Sequence, residues 1–224
     1  MLESLSFVML LVTLTGGSVS AQEPAKLDTI RLDSARVDKG LTVMRALSAR
    51  KSLRDFSNEP LTRQQLSELL WAANCVNRPD GRRTAPAAVN AQMVDIYVLM
   101  PEGVYRYDAP GLRLLPVAAG DHRKAAGRQE FVSNAPVNLI FVLDRAGFSA
   151  LPPGPAKAPD DAKVSWAYVS AGCEVQNAAL YCASEGLGGV VRAGFPADEL
   201  TKALRLTPEQ TPLLAFTTGH PKAK

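Results

Sequence analysis

From Ser165 to Glu185 the chain carries only two charges, Glu174 and Glu185, among residues that are otherwise apolar, small or neutral. A helix of this composition has no solvated face, so it must lie in a core or against a second subunit. The glycines that follow, Gly186 and Gly188 on either side of Leu187, end it in the usual way. They come after a helix instead of opening one, so they are not a dinucleotide-binding fingerprint. Cys173 and Cys182 fall within the apolar pattern and read as small buried hydrophobes. With Cys75 they make an odd set of three without CxxC spacing, which supports neither a disulfide scaffold nor a zinc site.

Such a helix needs partners, and the rest of the pattern supplies them. Thr62 opens a helix with a capping box, its hydroxyl facing the amide of Gln65 while Gln65 reaches back to Thr62. Leu61 and Leu66 form the hydrophobic staple, and Leu66, Leu69, Leu70 and Ala73 make one apolar stripe. Leu41 to Ala49, Asp121 to Phe131 and Pro196 to Leu204 read as further helices. Strands are expected over Asp95 to Met100, Val104 to Tyr107, Leu112 to Val117, Gly189 to Phe195 and Pro212 to Thr217. Val137 to Leu143 is near-continuously apolar, as a strand buried on both faces should be. The class is α+β, a sheet flanked by helices. At 224 residues with 46% hydrophobic and 21% charged, the chain is most simply one domain. A chain of this size buries about 70% of its extended surface and needs no disulfide or metal staple.

Two stretches fall outside this pattern. Asp144 to Lys163 reads as a long irregular loop with Pro152, Pro153, Pro155 and Pro159, either a substrate cover or a plain surface excursion. Phe148 and Trp166 are its candidate stacking surfaces. At the other end, Leu5 to Leu14 is an apolar run followed by Gly16, Gly17 and the small-residue site Val19-Ser20-Ala21. Residues 1–21 therefore read as a cleaved secretory signal and the protein as exported, to the periplasm; the run is too short for a stable membrane span of about 20 residues. The leading segment holds Glu3 and no Lys or Arg, so a weak anchor is the other reading. Gln22 to Gly40 is a polar surface leader, and 41–224 the folded domain.

The net charge of +3 is too small for a nucleic-acid footprint and suits small anionic ligands. The densest cationic stretch is Arg50, Lys51, Ser52 and Arg54, placed where a helical pattern gives way to an extended one. Extended alternation puts Arg50, Ser52 and Arg54 on one side. Planar guanidinium groups there would grip phosphate through paired, charge-assisted bonds; the bland alternative is a solvated basic turn.

Arg50-x-Ser52-x-Arg54-x-Phe56, followed closely by an amphipathic helix, resembles the opening of the nitroreductase family of FMN-dependent oxidoreductases. Further segments are similar in the same order: Pro86-Ala87-Ala88-Val89-Asn90-Ala91-Gln92, Ala171-Gly172 with Gln176 to Leu180, Arg192-Ala193-Gly194-Phe195, and Gly219-His220-Pro221-Lys222. The resemblance covers nearly all of the chain after about Ile30. It implies a nitroreductase-like fold, a central mixed sheet flanked by helices, in an intertwined homodimer with FMN at the interface. By the same resemblance Arg50, Lys51, Ser52 and Lys222 hold the phosphate and Arg54 sits by N1 and O2. Gln129 lies close to the flavin, and the backbone of Ala193 and Gly194 faces N5 and O4. Pro86, Ala87, Ala88, Asn90 and Gln92 would reach the flavin bound by the other subunit. Ala87 and Ala88 stand where the family often has hydroxyls, and Met93 where an aromatic often follows.

The implied activity is ping-pong hydride transfer through flavin N5, from a donor such as NAD(P)H to a nitroaromatic, quinone or similar acceptor. The flavin carries the chemistry, so no catalytic side chain and no metal is implied, which suits a chain whose histidines are His122 and His220 alone. The meander around Val104 to Tyr107 resembles the azoline-oxidising subgroup. It leaves open a dehydrogenase acting on a small ring or peptide-derived substrate; an exported flavin-binding protein without turnover is the non-enzymatic alternative.

Overall fold

The computed structural model describes residues 27–149 and 151–223. The signal-peptide reading of 1–21 and the first residues of the leader lie outside the described residues.

The strands are β1 (Ile30–Arg31), β2 (Val94–Met100), β3 (Gly103–Asp108), β4 (Arg113–Ala119), β5 (Val137–Asp144), β6 (Gly188–Arg192) and β7 (Gln210–Gly219). They form one seven-stranded sheet in the order β1-β4-β3-β2-β5-β7-β6, with every strand pairing antiparallel. Its parallel element is a single bridge, Ser52 to Gly189, at the β6 edge. The helices are α1 (Val43–Ala49), α2 (Arg63–Asn74), α3 (Glu130–Asn134), α4 (Pro153–Ala156), α5 (Asp160–Ser184) and α6 (Ala197–Ala203). None of those described is long and apolar enough to cross a membrane.

β5 is buried along Val137 to Leu143, as its composition requires. One face of the sheet packs Val98, Leu139, Phe141 and Phe216 against Leu66, Leu69 and Leu70 of α2 and Val175 and Ala178 of α5. The other packs Tyr97, Ile140 and Val142 against Val132 of α3 and Leu200 of α6. The Thr62 capping box is present in both directions. α5 buries Ala167, Ala171, Val175, Ala178 and Cys182, small residues that let the backbone lie close to α2 and the sheet. Its other face leaves Tyr168 and Val169 exposed, and Cys173 is only half-buried. Burial pushes the pKa of the Glu174 carboxyl well above the ordinary range, and Asn74 donates to it at 2.7 Å.

α5 ends in a Schellman turn: Gly186 takes φ +70° and the Leu187 amide donates back to the Cys182 carbonyl at 2.8 Å. Gly188 and Gly189 then open β6, where a side chain would collide with Leu53 and with the buried Phe216 ring. Glycine in a strand marks such a close approach. Gly189→Ala should therefore lower the stability by about 1–3 kcal/mol, the usual cost of overpacking. A thermal unfolding midpoint equal to that of the unmodified protein would show that the ring has room.

Three sequence expectations are corrected. Asp121 to Phe131 is not one helix but a 3-10 turn over Arg123–Ala126 and then α3. The break has a tertiary cause: the buried Arg192 guanidinium takes the Ala126 carbonyl at 2.8 Å, the acceptor that a continuing helix would use. Asp144 to Lys163 is half helical. Pro152 and Pro159 stand at N-caps and Pro153 at a first helical position, where a missing N–H costs nothing. Phe148 is buried against Trp166 with ring centroids 6.2 Å apart, so it is a core side chain and no stacking surface.

The leader, thirdly, is more than a surface tail. Ile30–Arg31 adds an edge strand to β4, and Arg36 and Lys39 clamp Glu68 of α2. Glu68 is buried and accepts from Arg36 Nε at 3.0 Å, Lys39 Nζ at 2.7 Å, Gln64 Nε2 at 2.8 Å and Tyr181 Oη at 3.0 Å. Burial by itself would raise its pKa. The four hydrogen bonds overcome that and bring it down to about 2.

Candidate functional site

The chain leaving α1 runs along the β6 edge and then along the C-terminal segment. Ser52 pairs with Gly189, and the Leu53 amide donates to the Gly189 carbonyl at 3.0 Å. Phe56 pairs with Pro221; the Ser57 amide donates to the His220 carbonyl and the Lys222 amide to the Asp55 carbonyl. Leu53 is half-buried and Phe56 buried, while Ser52, Arg54 and Asp55 stay exposed. These backbone bonds bring Arg54 and Lys222, far apart in sequence, to one groove of about 710 Å³ that Asp55, Phe56, Ser57, Glu130 and Phe131 also line. Arg50, the C-cap of α1, and Lys51 border a second hollow of about 190 Å³ with Gly186, Gly188 and Pro221. The expected single face of Arg50, Ser52 and Arg54 is thus not formed: Arg50 and Arg54 border different hollows and Ser52 lines neither. Among the described residues Arg50, Lys51, Arg54 and Lys222 form no ion pair.

Phe131 joins this groove to a second group. Its ring lies 6.4 Å from Phe56 on one side and 6.0 Å from the Arg192 guanidinium on the other. Arg192 donates to the Ala126 and Gly194 carbonyls, so the Gly127–Gln129 segment and the Ala193–Gly194 segment are held by one side chain. Gln129 is exposed at the N-cap of α3, and Ala193 and Gly194 are exposed beyond the end of β6. Arg192 itself is buried, and burial lowers its pKa to about 10, leaving it a cation at neutral pH.

Pro86, Ala87, Ala88, Asn90 and Gln92 lie elsewhere. None of them lines either hollow. Ala87 and Ala88 pack on the main core, and Gln92 Nε2 donates to Asn90 Oδ1 at 2.7 Å. Val89, Asn90 and Gln92 all adopt left-handed backbone, φ 49°, 56° and 50°. For a β-branched residue such as Val89 this costs of order 1–3 kcal/mol, and strain of this kind clusters at functional sites.

The nitroreductase family model matches residues 47–220. The chain belongs to the nitroreductase family. A protein of Methanocaldococcus jannaschii that carries nitroreductase as a provisional name is 29% identical over 184 residues, 78% of this chain and 88% of its own. The solved structure of a Ralstonia eutropha protein, also provisionally named a nitroreductase, superposes with a TM-score of 0.80 at 37% identity, covering 90% of this chain and 94% of that one. The NADPH:FMN oxidoreductase of Vibrio harveyi, solved with NAD+, shares the fold at a TM-score of 0.60 and 23% identity, over 81% of this chain and 69% of its own.

In this nitroreductase-family enzyme one residue at the groove has a role that sequence reasoning missed. In the sequence Arg192 falls inside the strand expected over Gly189 to Phe195, in an end segment valued only for its backbone. Its burial without a carboxylate depends on β7 and the Ala126 turn, which no local pattern reveals.

Proposed function

We propose that this enzyme is an FMN-dependent oxidoreductase working as a homodimer. The observation that carries the reading is the convergence of cations from both ends of the domain, Arg50, Lys51, Arg54 and Lys222, which form no ion pair among the described residues, on two hollows near the exposed Ala193–Gly194 backbone. The donor set fits the cofactor: a phosphate needs free guanidinium and ammonium groups, and a flavin ring needs an open, partly aromatic groove. Bound FMN would supply hydride transfer, so the protein itself has only to bind, orient and polarise.

Arg50, Lys51, Ser52 and Lys222 hold the phosphate in this reading. Arg54 places positive charge on the pyrimidine side of the ring, while Gln129, Ala193 and Gly194 border the other parts. The strained Pro86–Gln92 segment, remote from the cations of its own chain, completes the site of a second copy. The apolar patch that such a copy would cover is present: Val43, Met44 and Leu47 of α1 and Val169 of α5 are 69%, 75%, 46% and 68% exposed. NAD(P)H is the proposed donor and a nitroaromatic or quinone the acceptor.

The test is an absorption spectrum of the purified protein before and after adding FMN and passing it through gel filtration. Flavin bands that travel with the protein, are bleached by NAD(P)H without oxygen and return with a quinone support the reading; a colourless protein that retains no FMN overturns it. Arg54→Ala should lower the reduction potential of the bound flavin with less loss of binding, and an unchanged potential would remove Arg54 from that role. Export is a separate proposal: recovery from the periplasm with Gln22 as first residue supports it, and a cytoplasmic protein that retains residues 1–21 refutes it.

A further inference from the structure

Arg192 is 8% exposed, and each of its hydrogen-bond acceptors is neutral. Nε and Nη2 donate to Thr217 Oγ1 at 3.0 and 2.8 Å, Nη2 also to Asn138 Oδ1 at 3.4 Å, and Nη1 to the carbonyls of Ala126 and Gly194 at 2.8 and 3.3 Å. Among the described residues no carboxylate lies within ion-pair distance. A buried charge is ordinarily paired, because desolvating it alone costs several kcal/mol. Holding two loops together does not require that charge; a neutral amide could cap the same carbonyls. That excess positive charge lies beside the exposed Ala193–Gly194 backbone, which borders the ring in the flavin reading above.

The geometry points to Arg192 as a positioning residue of the redox site: it holds the Gly127–Gln129 and Ala193–Gly194 segments, and its uncompensated charge favours the reduced, more negative form of the bound flavin. This rests on the flavin reading above. Arg54 offers its charge from an exposed position screened by water, whereas Arg192 acts through the protein interior, where the same charge is felt more strongly.

Asn138→Asp tests the charge while keeping the guanidinium, since it sets a near-isosteric carboxylate against Nη2. Bound flavin in this variant should be reduced with at least a tenfold smaller equilibrium constant, a fall of about 30 mV for two electrons. Arg192→Lys keeps the charge and loses the fork; its potential should stay within about threefold in equilibrium constant of the unmodified protein although its thermal midpoint falls. Should Asn138→Asp not fold, Arg192→Gln removes the charge and carries the same expectation. A charge-cancelled variant that binds flavin with an unchanged potential overturns the inference, leaving Arg192 as structural. A shift in Arg192→Lys as large as in Asn138→Asp overturns it in favour of the hydrogen-bonded fork. An unmodified protein that binds no flavin overturns the flavin reading and this inference with it, an outcome distinct from the other two.

Discussion

Replacing Glu68 with alanine should lower the unfolding free energy by about 2 kcal/mol at pH 7, the scale of charge-assisted hydrogen bonds to a buried carboxylate whose cations, Arg36 and Lys39, stay accessible to water. The carboxyl gathers Arg36 and Lys39 from the leader, Gln64 from its own helix and Tyr181 from α5, so its loss detaches the leader and weakens the contact of α2 with α5. The pH dependence follows from its depressed pKa. The folded value of about 2 lies below that of the unfolded chain, about 4.5, so the stabilisation is complete above the unfolded value and fades as pH falls from there towards 2. Urea unfolding at pH 7 and pH 3 checks both statements, because Glu68→Gln should lose stability at pH 7 and show a flatter acid limb. Equal stability of Glu68→Gln and the unmodified protein at pH 7 would show that the clamp is a surface contact of little worth.

Arg50→Ala should weaken FMN about tenfold to a hundredfold while leaving riboflavin nearly unaffected. A hydrogen bond to a charged group contributes about 1.5–3 kcal/mol, and 1.4 kcal/mol is a factor of ten. Because Arg50 is exposed in the single chain, the lower end applies unless a second subunit covers the hollow. Titration by flavin fluorescence with both ligands measures this directly. Equal affinity of the unmodified protein for riboflavin and FMN would remove Arg50 from the phosphate.

Much of the architecture was legible locally. The capping box at Thr62, the stripe from Leu66 to Ala73, the doubly buried β5 and the Gly186 stop are each written within a few residues, so periodicity and cap chemistry suffice to read them. The cationic stretch was legible as a run of exposed basic residues, but the fold sets Lys222 in the groove of Arg54, whereas the resemblance implies a partnership with Arg50, Lys51 and Ser52. The division of Arg50 and Arg54 between two hollows was not legible, because alternation describes an ideal strand whereas Arg50 still caps α1.

The misses share a cause. The residues of 121–131 favour a helix, but a side chain from β6 captures Ala126. The prolines after β5 look like breakers, yet three of them start helices once the chain around them is placed. Phe148 is aromatic and lies in a loop, and only the packing of Trp166 decides that it is covered. The sequence alone was enough for most of the helices and strands, the apolar faces and the family, since these depend on residues close together or on a shared pattern. What only the tertiary structure decided was which side chains meet across the fold: Glu68 with the leader, and Arg192 with Thr217, Asn138 and Ala126. A buried charge or a captured carbonyl has energetic meaning only when its distant surroundings exclude water, and no local window of residues specifies that.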